Sequence, residues 1–164
     1  MSFSPFPKYK FHTLLRITPE FLRGIGVSLL LLDLDNTIAP YRTAEPTGET
    51  IEWARAMKNA GITLFIVSNS RKSNRVAAFA AALGIEYVYH ARKPSPRKLA
   101  EVAETLKTAC KNAALAGDQI FTDTLAANRA GVVSLLVRPI KFENPLHALR
   151  YIAEQPIRIW RKTL

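Results

Sequence analysis

Cysteine is almost missing from this chain: Cys110 is the only one in 164 residues, so no disulfide can form within it. It falls at the end of an expected helix, without a catalytic partner nearby, and reads as structural. Long hydrophobic runs are missing too. The longest apolar stretch, Val27–Leu32, is far too short to span a bilayer, which takes about 20 apolar residues. Acidic residues are scarce, at 13 against 23 Lys and Arg, giving a formal net charge of +10. That balance favours an anionic partner without choosing between nucleic acid, an anionic membrane and a phosphorylated substrate. A secretory pattern is absent from the N-terminus, because Lys8, Lys10 and Arg16 interrupt any apolar core. The expected location is the cytoplasm, with peripheral attachment to the inner face of a membrane left open. Repeats and low-complexity tracts are absent as well.

What remains is an ordinary globular composition, 48% hydrophobic and 22% charged. The length suits one domain over 1–164, with a short N-terminal lead and a basic helical C-terminal tail. The lead, residues 1–17, is aromatic and basic, with Phe3, Phe6, Tyr9 and Phe11, and reads as irregular. Thr18-Pro19-Glu20 reads as a helix start, with Gly24 at its end. Strand and helix patterns then alternate. Strands are expected near 28–34, 62–67, 85–88, 112–116 and 132–137. Helices are expected near 47–60, 71–83, 95–109 and 122–130. Gly61, Gly84 and Gly131 stand just past three of these helices, as C-terminal caps do. The alternation predicts an α/β fold, a doubly wound parallel sheet covered on both faces.

Polar clusters fall where the apolar runs end. Asp33-Leu34-Asp35-Asn36-Thr37 follows Val27–Leu32. One carboxylate there can attack phosphorus while the other handles a proton, and the pair can hold magnesium, which prefers hard oxygen ligands. Ser68-Asn69-Ser70 follows Leu64–Val67; a hydroxyl and an amide past a strand can bind phosphate oxygens, or simply cap the next helix. Ala91-Arg92-Lys93-Pro94 follows Ile85–Tyr89. A Lys before Pro takes extended backbone and can point a charge into a cleft. Gly117-Asp118 ends the fourth run, with Asp123 five residues on. Asp118 can complete a magnesium shell with Asp33, and Asp123 can orient it from behind. Each cluster alone also reads as turn or cap chemistry. Together they form the inventory for magnesium-assisted phosphoryl transfer at the carboxyl ends of parallel strands.

In this order the clusters resemble the four signature segments of the haloacid dehalogenase superfamily of phosphohydrolases, over roughly residues 27–140. In detail the chain is similar to the bacterial YqeG-like branch, whose mitochondrial relatives dephosphorylate phosphatidylglycerophosphate. The matching features are Asp33-Leu-Asp-Asn-Thr37, Ser68-Asn69-Ser70, Ala91-Arg92-Lys93-Pro94 and the Gly117-Asp118-Gln119 segment. The resemblance implies a magnesium-dependent phosphatase with Asp33 as nucleophile and Asp35 as general acid and base. It places magnesium on Asp33, Asp118 and the main-chain carbonyl of Asp35. It gives Ser68 and Lys93 the phosphoryl oxygens, Thr37 a loop-fixing hydrogen bond, and Asp123 either a ligand role through water or the orientation of Lys93. Asn69 is carried as a substrate contact. The histidines, His12, His90 and His147, fall outside the motifs.

Spacing adds one expectation. The gaps from Thr37 to Ser68 and from Ser68 to Lys93 are too short for a separate lid domain. The site should be capless and open to a bulky substrate, unless a neighbour in an oligomer covers it. At the C-terminus, Leu146, Leu149, Ile152 and Ala153 recur at helical spacing. Pro156 is expected to kink or break that helix. Beyond it, Ile157 and Trp160 stand among Arg158, Arg161 and Lys162, a pattern that suits a membrane interface or a helix packed on the core. Three readings therefore stand: a phosphatase of phosphatidylglycerophosphate, a phosphatase of soluble sugar phosphates or nucleotides, and a basic RNA- or ribosome-binding protein with a decayed site. The intact carboxylate set disfavours the last, so no nucleic acid partner is expected.

Overall fold

A computed structural model describes residues 4–141 and 145–159, the side chain of His147 excepted. Phe3, His147, Trp160, Arg161 and Lys162, singled out above, lie outside the described residues. Six strands form one wholly parallel sheet. They are β1 (Tyr9–Phe11), β2 (Leu29–Leu32), β3 (Thr63–Val67), β4 (Glu86–Val88), β5 (Ala113–Gly117) and β6 (Val133–Val137), in the spatial order β1-β6-β5-β2-β3-β4. The helices are α1 (Pro19–Gly24), α2 (Gly48–Asn59), α3 (Ser73–Leu83), α4 (Arg97–Thr105), α5 (Leu125–Ala130) and α6 (Pro145–Ile159).

The four leucines of β2 show why the sheet is covered on both sides. All are buried, and alternate ones face opposite ways. Leu30 and Leu32 join a core with Ala54 and Met57 of α2, Phe79 of α3, and Ile17 and Leu22 from the N-terminal lead and α1. Leu29 and Leu31 join a second core with Leu99 and Ala103 of α4 and Ala126 of α5. Such a strand reads as an unbroken apolar run, as strands buried on both faces do.

The chain winds outward from β2 in two directions, to β3 and β4 on one side and to β5 and β6 on the other. The crevice opens between β2 and β5, where the winding reverses, at the carboxyl ends of the strands. Only the loop over residues 33–47, α2 and the short turn over 60–62 lie between β2 and β3, and no lid domain intervenes among the described residues.

Two expectations are corrected. Residues 9–11 are not irregular: they add an edge strand beside β6, with Tyr9 opposite Leu135 and Phe11 opposite Val137. Phe11 is buried, and both Tyr9 and Phe11 pack edge-on against Phe21 of α1. Pro156 does not end its helix, for α6 runs through it to Ile159. The fourth expected helix also begins differently. A wide five-residue turn over Ile120–Thr124 precedes the regular turns of α5.

Candidate active site

Asp33 stands one residue beyond β2. Its main-chain N–H still donates to Ala116 of β5 at 2.9 Å, so the sheet itself fixes this residue. The chain then turns at Asn36, which takes a left-handed backbone conformation (φ 61°) that Asn tolerates better than most residues. Thr37 donates its hydroxyl to Asp33 Oδ2 at 3.3 Å. Asp118 and Asp123 follow β5, and both are buried. Carboxylate oxygens of Asp33, Asp118 and Asp123 lie within 4.8 Å of one another.

Lys93 arrives from the loop after β4. Its Nζ is 2.7 Å from Asp33 Oδ1 and 2.7 Å from Asp123 Oδ1, and the side chain is buried. Burial alone would depress this lysine. Asp123 and Asp33 outweigh it and hold the ammonium well above its ordinary range. Asp33 is pushed well above the usual carboxylate range, first by burial and further by Asp123 and Asp118, against the pull of Lys93. Lys93 thus bridges two of the three buried carboxylates. The convergence of hard oxygen donors from Asp33, Asp118 and Asp123 fits a divalent cation held by these residues.

Asn69 ties the second cluster to the third. Its Oδ1 accepts from Lys93 N at 2.8 Å and its Nδ2 donates to Lys93 O at 3.0 Å. Its carboxamide thus fixes the lysine's main chain, and the residue still lines the cavity. Ser68 is fully buried at the end of β3, and its Oγ accepts from Ser70 N at 3.0 Å. The four polar clusters thus gather at one end of the sheet, with Asp33, Asp35, Asn69, Lys93 and Asp123 lining one cavity.

Asp35 lines the cavity and is not one of the three converging carboxylates. Its Oδ1 is 2.6 Å from Arg75 Nη1 of α3. Burial raises its carboxyl above the ordinary range, against the opposing pull of Arg75. Arg75 was not found from the sequence. It also donates to the carbonyls of Thr43 and Pro40, so one guanidinium holds both the acid and the loop over it. A signal exists: Arg75 stands in the first turn of α3, where a cation opposes the helix dipole and needs another reason to be there.

These groups open into a cavity of about 750 Å³. Its mouth is basic, with Arg42, Arg71, Lys72 and Arg150 around the acids at its floor. Tyr41 also lines it. Burial, then the negative charges of Asp118, Asp35 and Asp33, push that phenol up to about 12.

Comparison with known proteins agrees with this geometry. Residues 8–131 match the family described as haloacid dehalogenase-like hydrolase. The chain belongs to that family, and is thereby an enzyme of the hydrolase class. Among relatives, it is 37% identical over 135 residues to "Probable phosphatase YqeG" of Bacillus subtilis (strain 168), covering 82% of this chain and 76% of that one. It is 24% identical over 153 residues to "Phosphatidylglycerophosphate phosphatase 1, chloroplastic/mitochondrial" of Arabidopsis thaliana. That match takes 88% of this chain but only 44% of the plant protein. A solved structure of similar fold is 3-deoxy-D-manno-octulosonate 8-phosphate phosphatase from Moraxella catarrhalis in complex with magnesium, phosphate and the KDO molecule. Its TM-score is 0.54 at 16% identity, over 87% of this chain and 92% of that one.

Proposed function

We propose that this protein is a magnesium-dependent phosphatase that cleaves a phosphate monoester through an aspartyl-phosphate on Asp33. The observation that carries the reading is Lys93, clamped 2.7 Å from Asp33 and from Asp123 within a buried three-carboxylate cluster at the strand ends. A carboxylate oxygen of Asp33 attacks phosphorus, and Asp35 gives its proton to the departing alcohol oxygen. Its raised affinity for that proton, from burial, suits the role. Asp35 then takes a proton from the water that attacks the aspartyl-phosphate, which releases phosphate and restores Asp33. A magnesium ion held by Asp33, Asp118 and the main-chain carbonyl of Asp35 would supply positive charge to the phosphoryl oxygens. Lys93 and Ser68 bind those oxygens, Asp123 aims Lys93, and Thr37 steadies Asp33. Asn69 contributes by holding the lysine's loop at the edge of the substrate cavity.

The substrate we favour is phosphatidylglycerophosphate, its headgroup reached at an anionic membrane surface. The likeness to the plant phosphatase supports it, as do the basic mouth and, among the described residues, the absence of a lid domain. Among the described residues no helix is long and apolar enough to cross a membrane. A second reading, a soluble sugar phosphate or nucleotide, is supported by the cavity, whose roughly 750 Å³ lies in the range of pockets for small molecules.

Phosphate release from this lipid in mixed micelles, beside glycerol 3-phosphate and common nucleotides, decides between them. Faster turnover of the lipid is expected; faster turnover of the soluble compounds sinks the lipid assignment. Asp33→Asn should lower every activity at least about a hundredfold, the lower range for losing an essential proton-handling or nucleophilic group. Near-normal turnover by a folded Asp33→Asn variant ends the covalent mechanism.

A further inference from the structure

α6 is mounted with its polar side inward. At 3.6 residues per turn, Leu149, Ile152, Pro156 and Ile159 fall along one side of the helix, and Glu154 and Arg158 along the other. The polar side is the buried one. Glu154 accepts from the main-chain N–H of Ile120 at 2.7 Å and of Phe121 at 3.1 Å. It is also paired with Arg158 at 2.6 Å, and Arg158 donates to the carbonyl of Asp118. The apolar side is left in solvent, with Leu146 53% exposed, Leu149 63%, Ile152 64% and Ile159 77%.

Cations stand at both ends of this stripe. At the start of the helix, Pro145 and Arg150 line the mouth of the substrate cavity. At its end the exposed cation is Arg138, which lines a small cavity of about 180 Å³ together with Ile159; Lys10 and Arg158 line the same cavity from within, Lys10 buried and Arg158 paired with Glu154. Glu154 is the only acid of α6, and Arg158 neutralises it. From residue 138 onward the sequence carries six Lys and Arg against two Glu.

We propose that the outward face of α6 is the surface by which the protein lies on an anionic bilayer, with the cavity mouth brought to the headgroups. The proposal rests on the reading of a lipid phosphate as substrate, which it deepens by naming the docking surface. An apolar stripe bordered by cations is the pattern of a helix lying in the membrane interface. Charge argues against a second copy of this chain as the occupant. Such a copy would bring its own +10 against these cations, whereas an anionic leaflet attracts them.

Co-sedimentation with vesicles of phosphatidylglycerol and phosphatidylcholine, and with phosphatidylcholine alone, tests it. The variants are Leu149→Glu and Ile152→Glu, singly and together, with Leu149→Ser/Ile152→Ser as a second pair. p-Nitrophenyl phosphate turnover serves as the basal activity. The full chain should bind the anionic vesicles and bind the neutral ones weakly. The double Glu variant should lose binding by at least about tenfold, since each change removes an interfacial apolar anchor and adds a repelled charge. Its basal turnover should stay unchanged, because neither residue lines the cavity. Binding unchanged in both double variants overturns the proposal, as does a concentration-dependent dimer that either pair dissolves. Binding lost in the variants, with no lipid phosphate hydrolysed by the full chain, supports the surface and fails the substrate reading alone.

Discussion

Gly117 carries no side chain, and the Asp123 carboxyl occupies the place where a Cβ would stand, in direct overlap with its Cγ. The backbone there is strand, so glycine is needed for space and not for dihedral freedom. Gly117→Ala should push Asp123 off Lys93, which then loses one of its two carboxylate partners. Turnover should fall at least about tenfold, the equivalent of 1.4 kcal/mol. The overpacking should cost about 1–3 kcal/mol, or a melting temperature lower by roughly 2–12 °C, read by thermal denaturation. An unchanged melting curve with full turnover would show that Asp123 tolerates displacement. The carboxylate cluster makes a second prediction. Magnesium should raise the melting temperature, because a ligand that binds only the folded state adds about 2.7 kcal/mol at a hundred times its Kd. Asp118→Asn should lose that rise, and chelator should abolish turnover until magnesium is restored. At this scale the sequence showed Asp33, Asp35, Ser68, Asn69, Lys93, Asp118 and Asp123, because each follows an apolar run. It hid Arg75 and Tyr41, which reach the site from a helix turn and a loop with no pattern of their own.

Glu154 is the residue through which one element holds another. It caps the start of the Ile120–Thr124 turn with two accepted N–H groups, on the segment that carries Asp123. Glu154→Ala would leave the buried N–H of Ile120 and the part-buried N–H of Phe121 without their acceptor, and the Arg158 guanidinium without its carboxylate partner. Breaking a buried pair from one side costs about 3–5 kcal/mol, so melting should fall by roughly 6–20 °C. Turnover should fall with it even at temperatures where the variant is folded; a stable variant with full turnover would separate α6 from the site. Glutamate in a helix beside Gln155 reads from sequence as solvated, and only the tertiary fold reveals its burial. The central strands were legible, since β2, β3 and β5 lie within two residues of their apolar runs. β1 was not, because three residues hold too little alternation to separate an edge strand from a loop. Pro156 misled for a different reason. The helix carries it on its exposed side, and the carbonyl it leaves without an amide partner belongs to Ile152, four residues back on that same exposed side, where water can reach it.

At the scale of the molecule, charge and shape pull together. Asp33, Asp118 and Asp123 are buried at the floor of the cavity and Asp35 is half-buried beside them, while Arg42, Arg71, Lys72 and Arg150 surround its opening. The exposed cations around the mouth lie where salt screens them, and the carboxylate cluster is enclosed, where salt reaches it far less. This separates two substrates by a single variable. Raising salt from about 0.05 M to about 0.5 M shortens the screening length from roughly 14 Å to roughly 4 Å. Turnover of a phosphate monoester in anionic micelles should drop on the order of tenfold, slightly more than the approximately 1 kcal/mol that one basic residue contributes beside an anionic surface. The loss should appear in the apparent KM, because salt weakens the encounter and leaves the chemistry untouched. p-Nitrophenyl phosphate in the same buffers should change much less, having no charged surface to bring with it. Equal salt sensitivity for the two would mean that the mouth reads the phosphate alone. The excess of basic residues would then serve some contact other than the membrane surface around the substrate.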